Sequence, residues 1–245
     1  AGQLIIGLFL LVGGGELLVH GASAMAATFR ISPLVIGLTV VAFGTSAPEL
    51  GVSLQAALTD NADVAVGNVI GSNIINILLI LGVSALVTPL VVSSQLIRID
   101  VPLMITASLA MWAVALDGTI ARWEGVLLFT ALLLYIVFCI RKSRSEEQKV
   151  VDEFAQEYSK AAVGRSAIAK QIALIAAGLI LLGWGSNWLV EGAVTVATQL
   201  GVDELLIGLT IVSIGTSLPE VVTSVVASYR GERDIAVGNV VGSNL

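Results

Sequence analysis

Residues 34–73 read LVIGLTVVAFGTSAPELGVSLQAALTDNADVAVGNVIGSN, and residues 205–244 read LLIGLTIVSIGTSLPEVVTSVVASYRGERDIAVGNVVGSN. The two stretches align without a gap at a constant offset of 171, and 22 of the 40 paired positions are identical. Self-similarity of this extent indicates an internal duplication. The same offset pairs five residues in 14–22 with identical residues in 185–193, so the duplication includes the preceding segment.

The composition excludes a water-soluble globule. Of the 245 residues, 56% are apolar and only 12% are charged, whereas soluble domains carry about 25% charged residues. The apolar residues form runs of about twenty, which are long enough to cross a bilayer as helices, and they lack the alternation of a β-barrel. The sequence therefore predicts an all-α, polytopic membrane protein with spans near 3–26, 34–58, 64–87, 101–116, 123–140, 168–190 and 205–228.

One polar stretch divides the chain into two halves. An eighth apolar run begins near Ile235 and stops at Leu245, too short to cross a bilayer, so we expect the second half to be truncated. The predicted domains are a first transmembrane repeat at 1–140 with its motif at 34–76, a linker at 141–167, and a truncated second transmembrane repeat at 168–245 with its motif at 205–245.

The distribution of Lys and Arg predicts the orientation in a cell membrane, either inner or plasma. If the 141–167 linker is cytoplasmic, 11 of the 12 basic residues fall inside and only Arg122 falls outside, as the positive-inside rule requires. The N-terminus is then extracytoplasmic. Five spans separate corresponding helices, and this odd number predicts repeats of inverted topology, which are common in transporters.

Two acidic residues lie near the middle of predicted spans, where a charge needs a partner or a cation. They are Glu49 and Glu220, which are equivalent under the 171 shift. Each follows a proline that displaces the carbonyl four residues earlier, at Gly44 or Gly215. Freed carbonyls, hydroxyls and carboxylates are hard oxygen ligands that suit Ca²⁺ and Na⁺. Helix packing alone explains stripes of small and hydroxyl residues, but it does not explain two acids, so the pattern predicts a cation site between the repeats.

The helix after each motif supplies a second polar face. Asn68, Ser72 and Asn76 recur every four residues and therefore share one side of a helix. The second copy offers Asn239 and Ser243, and its equivalent of Asn76 falls outside the sequence.

The remaining polar residues and motifs predict no further chemistry. Glu16, His20 and Glu191 lie toward span ends, where snorkelling to water is expected, with gating or proton relay as the alternative. The absence of GxxxxGK[ST], HExxH and Ser/His motifs argues against an enzyme or an organic cofactor. No basic, aromatic-rich face suggests nucleic acid, and no obligate protein partner is evident beside the lipid bilayer.

The GTSxPE and GNxxGSN elements, each present twice, resemble the α-repeats of the cation/calcium antiporter superfamily, which includes the sodium/calcium exchangers. The resemblance covers nearly all of the chain outside the linker. It implies a fold of ten transmembrane helices, of which this sequence holds about seven and a half. It also implies that Glu49 and Glu220 are the central Ca²⁺ and Na⁺ carboxylates. The further ion ligands that it implies are Thr45, Ser46, Thr216, Ser217, Ser72, Asn76 and Ser243.

The prediction is thus a secondary antiporter that exchanges Na⁺ for Ca²⁺ by alternating access, with the first and sixth helices sliding against the rest. H⁺/Ca²⁺ exchange and K⁺-dependent cation exchange on the same fold are alternatives, because carboxylates can titrate. A non-transporting fragment and a passive channel are alternatives from another class.

Overall fold

The computed structural model describes residues 2–143, 165–203, 211 and 213–245, and this part of the chain is helical and contains no strand. Its helices, numbered here in chain order, are α1 (Gly2–Phe29), α2 (Pro33–Thr45), α3 (Ala47–Leu58), α4 (Ala62–Val87), α5 (Leu96–Asp117), α6 (Arg122–Ser143), α7 (Arg165–Gln199), α8 (Ser213–Thr216), α9 (Leu218–Tyr229) and α10 (Arg233–Ser243).

The prediction of an all-α membrane protein is confirmed. Among the described residues, five helices are long and apolar enough to span a bilayer, and the bent pair of α2 and α3 makes a sixth. The predicted span at 205–228 lies partly outside the described residues. The ten-helix fold and the inverted repeats stay predictions.

Two helices extend well beyond the predicted spans. Helix α5 begins at Leu96 rather than 101, and α7 continues to Gln199 rather than 190. In both cases a charged residue, Asp100 or Glu191, interrupts the apolar run but not the helical backbone. Helices α6 and α7 also extend a few residues into the predicted linker, most of which lies outside the described residues.

Prolines account for the helix breaks near the predicted site. Pro48 stands in the first turn of α3, and the axes of α2 and α3 differ by 47°. Pro219 has the same place in α9. Because proline has no N–H and its ring displaces a carbonyl of the preceding turn, it kinks or breaks a helix at such a position. The breaks put Glu49 and Glu220 into the first turns of α3 and α9.

Helices α1 and α7 pack closely against each other in antiparallel orientation. Gly7 of α1 lies against Gly185 of α7, and Gly14 lies against Gly178. Small residues let two membrane helices bring their backbones together. Since the 171 shift relates Gly7 to Gly178 and Gly14 to Gly185, the two contacts are equivalent to each other.

Helix α10 packs against α2 in a similar way. Gly37 lies against Ile235, and Gly238 lies against Leu34. The buried core is formed mainly by α1, α2, α7, α9 and α10, and its largest members include Leu11, Leu18, Val19, Val35, Val41, Leu182 and Ile235. Large apolar side chains of α4, α5 and α6 remain exposed, as expected of surfaces that face lipid.

Candidate cation site

A cavity of about 190 Å³ lies among α3, α4, α9 and α10, next to the helix break at Ser46. Eight of its ten lining residues have a carboxylate, hydroxyl or amide side chain. The lining residues are Ser46, Glu49, Leu50, Ser53, Val69, Ser72, Asn73, Asn76, Glu220 and Ser243.

Each of the two glutamates is held by a hydroxyl group from the other repeat. Glu49 is 8% exposed and Glu220 is 1% exposed. Ser46 Oγ donates to Glu220 Oε1 at 2.9 Å, and Ser217 Oγ donates to Glu49 Oε1 at 3.4 Å. The second carboxylate oxygen of each glutamate, Oε2, is buried and has no hydrogen-bond partner among the described residues. Both glutamates line the same cavity, so two unneutralised carboxylates there would repel each other.

The neighbouring threonines, Thr45 and Thr216, do not line the cavity. Thr216 lies near the Glu49 carboxylate, and Thr45 lies near the Glu220 carboxylate. The hydroxyl of Thr45 also lies 3.1 Å from Asn239 Oδ1, to which it can donate. Both threonines are therefore near the predicted site, on the side of the carboxylates away from its open volume.

Three of the predicted Na⁺ ligands come together in the cavity wall. Asn76 begins a π-helical turn in α4, and its Nδ2 donates to Asn244 Oδ1 at 3.0 Å. Its Oδ1 and the buried Oγ of Ser243 have no partner within the described chain. Ser72 Oγ donates to a carbonyl of its own helix at 2.8 Å, so its lone pairs remain available.

Two asparagines fix the helices that carry the glutamates. Asn68 Nδ2 donates to the backbone carbonyl of the glutamate in its repeat at 3.0 Å and to Ser53 Oγ at 2.9 Å. Asn239 Nδ2 makes the equivalent bonds, at 3.4 Å to the glutamate carbonyl and at 2.9 Å to Ser224 Oγ. Sequence reasoning missed Ser53 and Ser224, although both are identical across the duplication and lie one turn beyond the glutamates.

The cavity contains oxygen atoms without a described hydrogen-bond partner, and they are of the kinds that a hard cation binds. Two carboxylate oxygens, one amide oxygen and one hydroxyl are buried without a described partner, and Ca²⁺ binds several such oxygens at about 2.3–2.6 Å. Within the described ranges, no group of three or more His, Cys, Asp or Glu side chains is positioned to hold a metal. The site therefore offers two negative charges and neutral oxygens, which one divalent or two monovalent cations would neutralise.

Polar residues outside the cavity make other contacts. Glu16 of α1 forms an ion pair with Arg230 at the end of α9, and both side chains are partly exposed. Glu191 Oε2 accepts a hydrogen bond from Gln3 Nε2 at 3.4 Å, and His20 is exposed.

Several known proteins are similar to this chain in sequence and in architecture. A family model described as sodium/calcium exchanger protein matches residues 1–141 and 170–245. The inner membrane protein YrbG of Escherichia coli is 40% identical over 242 residues, which are 99% of this chain and 74% of that protein. The putative antiporter CaxA of Alkalimonas amylolytica is 40% identical over 99% of this chain and 75% of its own length. A solved structure of the sodium-calcium exchanger NCX_Mj matches with a TM-score of 0.85 at 32% identity, covering 99% of this chain and 77% of that one.

The helical fold, the oxygen-lined cavity and these relatives define a multi-pass membrane antiporter for cations. The chain belongs to the sodium/calcium exchanger family. The resemblance to the cation/calcium antiporters is thereby confirmed. Members of the family are transporters rather than enzymes, and the NCX_Mj crystals were soaked with Na⁺ and Sr²⁺.

Proposed function

We propose that this protein exchanges Na⁺ for Ca²⁺ across a cell membrane and that the cavity among α3, α4, α9 and α10 binds both ions. One observation carries the proposal. Two buried glutamates come from equivalent positions of the duplication. Each has one oxygen bonded to a hydroxyl of the other repeat and one oxygen with no hydrogen-bond partner among the described residues. Packing gives no reason to retain two such acids inside a membrane protein.

The charges of the site explain why the two fluxes are coupled. One Ca²⁺ neutralises both carboxylates, or several Na⁺ ions compete for the same oxygens. Without any cation, two unneutralised carboxylates are buried close together, which is costly in a medium of low dielectric constant. The empty site therefore resists the conformational change, and net transport requires that an ion of one kind return when the other has left.

The proposed function includes a route for the ions through the protein and an orientation of the chain in the membrane. The two repeats have inverted topology and open the site alternately to each side, with α1 and α7 moving against the helices that line the cavity. The N-terminus is extracytoplasmic and the 141–167 linker is cytoplasmic, which agrees with the distribution of basic residues. Asn61→Cys and Gln148→Cys, each combined with Cys139→Ala, test this orientation, because a membrane-impermeant maleimide added to intact cells should label only the Asn61 variant. Labelling of the Gln148 variant alone would reverse the orientation.

Ion flux in proteoliposomes tests the site. Protein made from the complete gene should take up Ca²⁺ when Na⁺ flows in the opposite direction. Glu49→Gln and Glu220→Gln each remove one of two ligand charges, and we expect Na⁺-driven Ca²⁺ flux and Ca²⁺ affinity to fall about tenfold or more, since charge count strongly sets calcium affinity. Glu191→Gln makes the same chemical change on an exposed side chain outside the cavity and should transport like the wild type. Undiminished flux in either site variant would contradict the assignment.

The same vesicles distinguish the other transport modes. A proton gradient or K⁺ in place of Na⁺ should drive little Ca²⁺ uptake, and strong uptake under either condition would identify the H⁺-coupled or K⁺-dependent exchanger. Ca²⁺ leakage without any counterflow would identify a passive channel. Absence of Ca²⁺ binding to the purified wild-type protein would identify a non-transporting protein.

A further inference from the structure

Pro219 leaves one carbonyl of the preceding turn without its helical partner. That carbonyl belongs to Gly215, four residues earlier, because proline has no N–H to donate to it. A backbone oxygen away from water must find another donor. The donor is Ser186 of α7, whose Oγ donates to the Gly215 oxygen. Ser186 is only 6% exposed, so this bond is shielded from competing water.

Helix α7 contacts the same glycine from two successive turns. Val190 lies four residues after Ser186, on the same face of the helix, and it fills the space that a side chain at position 215 would need. A hydroxyl in a helix often donates to a carbonyl of its own helix, as Thr195 does with the Glu191 carbonyl. Ser186 instead donates to a different helix.

The bonded glycine immediately precedes the residues that hold Glu49. Thr216 and Ser217 follow Gly215 in sequence. Ser217 Oγ donates to Glu49 Oε1 at 3.4 Å, and Thr216 lies near the same carboxylate. The hydrogen bond from Ser186 therefore fixes the backbone from which these two hydroxyl groups extend. Ser186 itself does not line the cavity, so any influence on a bound ion passes through this segment.

The first repeat has no equivalent hydroxyl. Under the 171 shift Ser186 corresponds to Gly15, and Gly215 corresponds to Gly44. Pro48 frees the carbonyl of Gly44 just as Pro219 frees that of Gly215, but glycine at position 15 carries no donor group. The bond between α7 and the helix break is therefore one-sided, and it serves the surroundings of Glu49 rather than those of the second glutamate.

We propose that Ser186 is a positioning residue for the cation site. Its hydrogen bond to Gly215 holds Thr216 and Ser217 against Glu49 and so sets the affinity for a divalent cation. This inference rests on the proposed function, because the affinity that it concerns is that of the proposed Ca²⁺ site.

Three variants test the role of the hydroxyl. Ser186→Ala removes it with little change in volume, and Ser186→Thr retains it. Ser23→Ala is the matched control, because Ser23 is a buried serine of α1 whose Oγ has no partner within the described chain. In equilibrium binding of radioactive Ca²⁺ to protein from the complete gene, Ser186→Ala should bind about fivefold more weakly, the effect of one neutral hydrogen bond. Ser186→Thr and Ser23→Ala should bind within about twofold of the wild type on the same scale.

Transport kinetics and a double-mutant cycle separate positioning from a general loss of stability. In proteoliposomes, Ser186→Ala should raise KM for Ca²⁺ and leave kcat nearly unchanged, because it weakens binding in the ground state. When Thr216 and Ser217 are both alanine, the effect of Ser186→Ala on affinity should shrink to less than about twofold, since these residues carry it.

Different experimental results would overturn the positioning role of Ser186 and the proposed function. Wild-type affinity in Ser186→Ala, equal weakening in Ser186→Ala and Ser186→Thr, or an undiminished effect in the double-alanine background would overturn the positioning role. The proposed function fails instead if the wild-type protein binds no Ca²⁺, or if Glu49→Gln binds it as tightly as the wild type.

Discussion

Replacing Gly14 by alanine tests how closely α1 and α7 depend on their glycines. A Cβ atom on Gly14 would lie 2.8 Å from both the Gly178 oxygen and the Leu182 nitrogen. These are backbone atoms of α7, which cannot rotate away as a side chain could. Since ordinary van der Waals contact begins near 3.4 Å, the two helices would have to separate locally by roughly 0.6 Å.

The size of the effect follows from two opposing contributions. Overpacking of this kind costs about 1–3 kcal/mol, whereas exchange of glycine for alanine within a helix gains up to about 1 kcal/mol in helix propensity. Gly13→Ala makes the same exchange one residue earlier, where a Cβ atom meets nothing within 4 Å. The helix contribution therefore cancels between the two variants. Gly14→Ala should be less stable than Gly13→Ala by about 1–3 kcal/mol, the packing contribution alone.

Thermal unfolding of the purified protein in detergent measures this difference. For a chain of this size each 1 kcal/mol corresponds to about 2–4 °C in Tm, so Gly14→Ala should melt roughly 2–12 °C below Gly13→Ala. The partner helix provides an independent pair, because a Cβ atom on Gly178 would lie 2.7 Å from the Leu18 nitrogen, while one on Gly183 meets nothing. Equal Tm values for Gly14→Ala and Gly13→Ala would refute the reasoning that close backbone contact holds α1 and α7 together.

Three further substitutions test the polar contacts of the fold. Asn239→Ala removes the amide that bonds two acceptors in α9 and should lower the free energy of unfolding by about 1–3 kcal/mol, measured by denaturant titration; an unchanged value would show that these bonds are replaced. Tyr135→Phe removes the hydroxyl that donates to the buried Asp100 carboxylate at 3.0 Å, and a similar loss of about 1–3 kcal/mol is expected, with wild-type stability as the contrary result. Arg230→Gln breaks a partly exposed ion pair with Glu16. Because solvent screens such a pair, the free energy of unfolding should fall by less than about 1 kcal/mol, and a much larger fall in the same titration would contradict this screening.

The duplication makes much of the candidate site predictable. Residues that are identical in both copies share one chemical role, and the shift of 171 relates them without any structure. The duplication predicts the shared role of Glu49 and Glu220, and the family resemblance adds Ser46 and Ser217. The structure places all four close together. The four-residue spacing likewise predicted the polar face of α4. The assignment of these residues as ion ligands itself remains to be tested.

Contacts between residues that the duplication does not pair were beyond prediction. Asp100 ends an apolar run and seemed to mark a span boundary, but its carboxylate accepts a bond from Tyr135, which lies 35 residues away on another helix. Ser186 has a glycine as its equivalent, so the comparison of the two copies gave it no weight. In both cases helix packing determines the hydrogen-bond partner, and the spacing of residues along the sequence does not reveal it.

The differences between the two copies also explain why α3 contributes more of the cavity wall, with Glu49, Leu50 and Ser53, than its equivalent α9, which contributes Glu220. A Cβ atom on Gly15 of α1 would lie 3.2 Å from the side chain of Val222 in α9, so α1 packs directly against α9. Its equivalent in α3 is Gly51, around which a Cβ atom would meet no described atom within 4 Å. The ion pair of Glu16 with Arg230 adds to the α1–α9 contact, whereas the equivalents of these two residues are an asparagine and a threonine. Duplicated positions therefore supply the proposed ion-binding groups of both halves alike, while unmatched positions supply the contacts that close one half and leave the other open.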